Sequence, residues 1–337
     1  MDSLTHIAIG ACIGDLFLGK KIGKKAMLYG AIAASLPDVD FIASFWLNSA
    51  DDLMAHRGFT HSFAFGSLFI LALAFLFRHR HRVENIPIKT WLIFMSVEIA
   101  SHLFLDAFNA YGIGWFEPFS HKRISFNVIF VADPFFSVWP GMAAVVLLIL
   151  KSGNNKRRRW ATFGLVFCSL YFIYCLVNKF SIDHDMQYAL KKQGIHYNRY
   201  FTTPTPFNNW LWYNVAETDS GFQIGYRSVF DKNHQIGFRF FPQKNYLLDP
   251  FRGQHDLYEL IRFSQGYYTT DTSEHGIVFN DLRFGQMMGW QDPGAHFVFH
   301  YYLQDPDANH LVVQRGRFAR WNWHSIRVFI KRIGGIE

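Results

Sequence analysis

The sequence predicts a polytopic α-helical membrane domain of four to six helices, over residues 1–181, followed by a β-rich soluble domain over 182–337. Two observations predict it. Long apolar stretches fill the first 181 of the 337 residues, and beyond them polar residues are interleaved with aromatics. Lysines and arginines cluster in alternate connections between those stretches, the pattern of cytoplasmic loops in a membrane protein.

Four stretches approach the roughly 20 apolar residues that a helix needs to cross a bilayer. They are 61–77, 90–111, 128–150 and 160–180. A short apolar helix at 4–19 and a segment at 25–47 precede them. Pro37 interrupts the latter, because proline removes a helix hydrogen bond and clashes with the preceding turn. Both read as short or partly inserted helices.

Basic residues occupy the first connection (Lys20, Lys21, Lys24, Lys25), the third (Arg78, Arg80, Arg82) and the fifth (Lys151, Lys156, Arg157, Arg158, Arg159). Facing these inward puts the N-terminus, the loops 48–60 and 111–127, and everything after residue 181 outside an inner (plasma) membrane. The net charge of +7 is accounted for by these clusters, so no nucleic-acid partner is expected. Cys12, Cys168 and Cys175 lie within apolar stretches and read as packing residues, not a disulfide framework. No basic residue precedes the first apolar run, so a signal peptide is not expected.

In the second half, 222–230 and 236–241 read as two strands joined by a turn at 231–235. Further strand-like runs begin at Tyr258, Gly276, His296 and Leu311. Ile326, Phe329, Ile330 and Ile333 share one helical face near the end. A helix closing the β domain is the preferred reading there, over one resting on lipid headgroups.

Four elements carry chemistry. Asp2 and His6 are four apart at the start of the first helix, and Asp38 and Asp40 flank the helix break. His56, Arg57 and His61 lie in and after the next loop. Glu98, His102 and Asp106 recur every fourth residue within an apolar helix. Residues four apart on a helix share a face, so Asp2 with His6 and His102 with Asp106 can each present two ligands to one ion. Ionisable groups inside a membrane helix are costly and mark function, although a polar network tying helices together is the plainer alternative. The predicted topology brings all four elements to the outer side.

Mixed imidazole and carboxylate ligands suit zinc best, with manganese or iron as alternatives. Such an ion generates hydroxide at neutral pH. Arg57 either clamps a substrate oxygen or forms a helix-end salt bridge. His121 and Asp133, also outer, are further candidates for ligation or support of ligands. His79 and His81 read as solvated.

At MDSLTH, PDVD, HRGFTHS and SHLFLDAFNAYG the chain resembles the YdjM family of membrane-bound metal-dependent hydrolases, and TPTPFNNWLWYNV at 203–215 resembles its longer members. The family is distantly similar to zinc-dependent phospholipase C and the P1-type nucleases. The resemblance implies a helical bundle that holds one or two zinc ions and cleaves phosphoesters. It assigns Asp2 and His6 to one metal, Asp38 or Asp40 with His61 and His102 to another, and Asp106 as a bridge. The later H-x-x-x-E ligand pair of the soluble enzymes has no counterpart after Asp106, so no third metal is implied.

The expected function is hydrolysis of a lipid or lipid-linked phosphoester at the outer leaflet. Glu98, Asp38 or Asp40 would serve as general base or as an orienting carboxylate. An ion transporter or channel using the same acids and histidines is one alternative. The inner halves of the spans are mostly apolar, which tells against it. A non-catalytic, metal-stabilised scaffold is the other.

Overall fold

The computed structural model describes residues 1–274, 276–305, 309 and 321–335. They form two compact units, one of Met1–Trp46 with Ala55–Cys175 and one of Leu47–Met54 with the chain from Leu176 onward. The last boundary, after Cys175, falls within a helix.

The first unit is helical. Helix α1 spans Ser3–Ile22, with Asp2 as its N-cap accepting from the Thr5 amide. Helix α2, Lys25–Ser35, is followed by a 3-10 helix, Pro37–Phe45, bent by 55° from it at the break that Pro37 predicts. After α3 (Ser49–Ala55), which belongs to the second unit up to Met54, come α4 (Phe63–Arg80) and α5 (Ile88–Asp106). Helices α6 (Pro134–Ile149) and α7 (Lys156–Lys192) complete the series. By length and composition α4, α5 and α7 can each cross a membrane, and α2 with the 3-10 helix makes either a bent fourth span or a re-entrant loop.

The stretches 90–111 and 128–150 are shorter helices than expected. Helix α5 stops at Asp106, and α6 starts only at Pro134, where the Asp133 carboxylate accepts from the amides of Phe135 and Phe136. A capped aspartate followed by proline is a strong helix start, and it overrides the apolar run before it. Helix α7 runs past residue 180 to Lys192 as one 37-residue helix.

Helices α1 and α2 pack against each other closely enough to need glycine. A Cβ on Gly30 would lie 2.0 Å from the Gly10 carbonyl oxygen, and one on Gly14 would lie 2.1 Å from that of Ala26. Small residues of this kind let membrane helices approach backbone to backbone. At the other end of α1, Asp15 forms a buried ion pair with Arg157, whose guanidinium also donates to the Leu147 and Leu150 carbonyls. Arg157 is therefore a packing residue rather than a solvated member of the basic loop. His81 is likewise buried, between Tyr29 (2.8 Å) and Glu84 (3.0 Å), not solvated.

The second unit holds two antiparallel sheets. The first has the order β1 (Arg199–Pro204), β2 (Leu211–Thr218), β3 (Gly221–Ser228) and β4 (Arg239–Pro242), and the second β5 (Tyr268–Ser273), β6 (Gly276–Gln286) and β7 (Phe297–Tyr302). The hairpin expected after 222–230 exists, but β4 begins at Arg239 and pairs only through Ile224↔Arg239 to Gly221↔Pro242. The run beginning at Tyr258 is part of a helix, α8 (His255–Phe263), and only its end becomes β5. Strands β1 and β2 were not anticipated, because β2 is buried along most of its length and so lacks alternation. The run from Leu311 lies outside the described residues. The final helix, α9 (Trp323–Ile333), turns Phe329 inward, and its Arg332 binds Asp231 at 2.8 Å, as expected of a helix closing the domain.

Candidate metal centre

Helix α5 supplies the foundation. Its four-residue spacing puts Glu98, His102 and Asp106 on the buried side, all with no exposed surface. His102 donates from Nδ1 to the Ala34 carbonyl (2.6 Å), at the point where α2 ends before Pro37. That bond leaves Nε2 as the unprotonated nitrogen with an outward lone pair, the arrangement a histidine ligand needs.

The Nε2 of His61 lies 3.1 Å from that atom. Around the two nitrogens stand Asp38 Oδ1, 3.5 and 3.7 Å away, and Asp106 Oδ2, 3.5 and 3.6 Å away. One ligand atom each from Asp38, His61, His102 and Asp106 therefore falls within 4.8 Å of all the others. Asp106 Oδ2 is buried without a hydrogen-bond partner. Two facing imidazole nitrogens and two carboxylate oxygens, one of them without a hydrogen-bond partner, make a donor set that fits a divalent cation.

The remaining candidates surround this group. Asp40 Oδ2 faces His61 Nδ1 at 3.3 Å and accepts from the Arg57 amide at 2.7 Å, so Asp40 orients His61. His6 stacks on the His102 ring with centroids 3.9 Å apart, and its Nε2 is 3.1 Å from Asp106 Oδ1. The Met1 amino group also contacts Asp106 Oδ1. His56, half-exposed, reaches Asp40 Oδ1 at 3.4 Å. Asp2 caps α1 and binds the Thr5 hydroxyl, outside the four-residue group.

Arg57 takes the salt-bridge alternative of its two expected roles, and Glu98, His121 and Asp133 stand outside the four-residue group. Glu98 is buried a turn before His102, with no hydrogen-bond partner for either oxygen among the described residues, and its Oε1 lies against Gly30. It is not one of the four residues whose ligand atoms converge. Arg57 is already engaged by other groups of the chain. Its Nε is 3.2 Å from Asp106 Oδ2, and its Nη atoms donate to the Asn109 side chain and the Met1 carbonyl. Its backbone is held at φ 56°, a left-handed conformation unusual for a large side chain. Arg57 thus braces Asp106 and is not free to clamp a substrate. His121 pairs with Glu117 on the surface, and Asp133 caps α6 and accepts from the Tyr171 hydroxyl, so neither joins the cluster.

Sequence reasoning missed two supports. Asn109, fully buried, donates to the Asp106 carbonyl and accepts from Arg57. The Ser3 hydroxyl donates to Asp38 Oδ2 at 3.1 Å. The signal for Asn109 was an amide three residues past the last ligand, where an apolar helix stops. None of the histidines of the second unit joins a metal-type cluster among the described residues.

The family model described as the YdjM inner membrane protein matches residues 1–182. The chain is 30% identical over 203 residues to YfhP of Bacillus subtilis (strain 168), a protein described as uncharacterized, and the match spans 57% of each chain. It is 37% identical over 123 residues to the inner membrane protein YbcI of Escherichia coli (strain K12), covering 36% of this chain and 69% of that one. No solved structure matches. The apolar spans, the buried aspartate–histidine cluster and the family match agree, and the chain belongs to the YdjM inner membrane protein family.

Proposed function

We propose that the protein is a membrane-bound, metal-dependent hydrolase acting on a phosphoester of a lipid or lipid-linked substrate. The observation that supports it best is the convergence of Asp38, His61, His102 and Asp106, from segments 68 residues apart in sequence, on a space the size of one ion. The mixed donor set favours zinc. When bound, such an ion activates water and offsets the negative charge of a phosphoester.

The chain's own groups hold and orient. His102 is locked by the Ala34 carbonyl and His61 by Asp40. Asp106 is fixed by Arg57. Asp38, whose side chain is 17% exposed against none for the other three, is the carboxylate on the accessible side. It is the group to receive the proton lost by an attacking water. A substrate in the outer leaflet suits a site at the end of the spanning helix α5.

Purified protein tests this by metal analysis beside release of phosphate or headgroup from phospholipid micelles. The reading expects stoichiometric metal, hydrolysis lost on chelation and restored by zinc, and both lost in His61→Ala. Full metal content with no hydrolysis of any phosphoester would leave the scaffold reading instead.

A further inference from the structure

At the end of α5 remote from the metal centre, the turn between α4 and α5 encloses a cavity of about 810 Å³. Arg78, His79 and Arg82 line it, with buried His81 behind them and Phe75 and Ile86 giving it an apolar side. None of its lining residues is acidic. We propose that this cavity binds the phosphate of an anionic phospholipid of the inner leaflet.

The charge argument comes first. Neither Arg78 nor Arg82 has a carboxylate partner among the described residues, and Arg82 is steadied by donating to His79 Nδ1 at 2.7 Å. Glu84, the acid of the connection between α4 and α5, is engaged with His81 Nδ1. Two uncompensated guanidiniums beside a pocket present the fork geometry that phosphate oxygens accept. The carbonyl end of α4 opposes an anion, but with only about half a charge, set against two full ones.

Position selects the source of the phosphate. From Ile88 to Asp106 α5 rises about 27 Å at 1.5 Å per residue, close to the thickness of a bilayer's apolar core, so the cavity and the metal centre lie at opposite faces. The end of α4 presents exposed Phe75 toward the acyl region and the arginines at headgroup level. Basic pockets between membrane helices on the cytoplasmic side are suited to anionic headgroups. The volume is within the roughly 300–1,000 Å³ of ligand pockets. His81, held by the Tyr29 hydroxyl at 2.8 Å, ties the floor to α2, so occupancy would brace the α2–α4–α5 packing.

The test is thermal unfolding of the detergent-solubilised protein titrated with phosphatidylglycerol, phosphatidylcholine or inorganic phosphate. Phosphatidylglycerol should raise the midpoint and phosphatidylcholine should not. Arg78→Gln with Arg82→Gln should raise the lipid concentration for half-maximal effect about tenfold. Arg80→Gln, an exposed arginine outside the lining, should leave it unchanged. If the double variant is too unstable to purify, native mass spectrometry of the wild type must show retained phosphatidylglycerol in preference to phosphatidylcholine. Equal effects of the two lipids, an unaltered titration in the double variant, or the same stabilisation by inorganic phosphate alone would each overturn the proposal.

Discussion

Asp106 is the residue on which most of the centre's contacts meet. Its Oδ1 takes His6 and the Met1 amine, and its Oδ2 faces Arg57, His61 and His102. Two different outcomes follow for its neighbours on α5. Asp106→Asn should lower the stability of the metal-free protein by about 3–5 kcal/mol, because it strands the buried Arg57 charge. His102→Ala should abolish metal binding and cost less stability in the chelated protein, having no buried cation to strand. Metal analysis with unfolding of the chelated variants decides it. Equal stability losses would mean that Arg57 does not depend on Asp106. In the second unit, exposed His255 contacts Asp51 at 2.6 Å. The hydrogen bond to Asp51, aided by its charge, raises the His255 pKa above the ordinary value. The pair is therefore complete below about pH 6.5 and is lost as pH rises through the raised value. An NMR titration should place the His255 midpoint above that of a free histidine, and Asp51→Asn should bring it down. Because the side chain is exposed, little change in stability should accompany it.

Among the elements, the crossing of α1 and α2 has least tolerance. It fixes His6 on α1 relative to the Ala34 carbonyl that locks His102. The obstacle to a side chain at Gly30 is backbone, the Gly10 carbonyl, which cannot rotate aside. Gly30→Ala should therefore destabilise the protein by about 1–3 kcal/mol and weaken metal binding as well, through displacement of α2. An unchanged midpoint and metal affinity would show the crossing to be looser than its geometry. The glycines were visible in the sequence, but a helix sequence does not say which of its glycines meets a neighbour. The capping of α6 by Asp133 is a similar case. Its place on the predicted outer side made it a candidate for ligation or support, while its two amide contacts make it a helix start.

For the molecule as a whole, orientation is the property with most consequence for function. Removing Arg157 from the solvated count leaves Lys151, Lys156, Arg158 and Arg159 in that connection, so the inward bias of the three basic loops persists. A reporter fused after Glu337 should then behave as extracytoplasmic. Cytoplasmic activity there would move the metal centre to the inner leaflet, and the phosphate cavity to the outer one.

The helical-then-β plan, the break at Pro37 and the identities of Asp38, His61, His102 and Asp106 were all legible in the sequence. Each rests on a local signal, namely apolar length, a missing amide hydrogen, or an ionisable group where none is cheap. Tertiary structure alone decided the roles. Glu98 and Asp2 carry the same carboxylate as the candidate ligands and Arg57 a charge beside them, yet one is buried against Gly30, one caps a helix and one is spent on Asp106. Ligation depends on which atoms meet within a few ångströms. That is set by helix crossings and loop paths between residues up to 68 apart, and no spacing along a single helix records it.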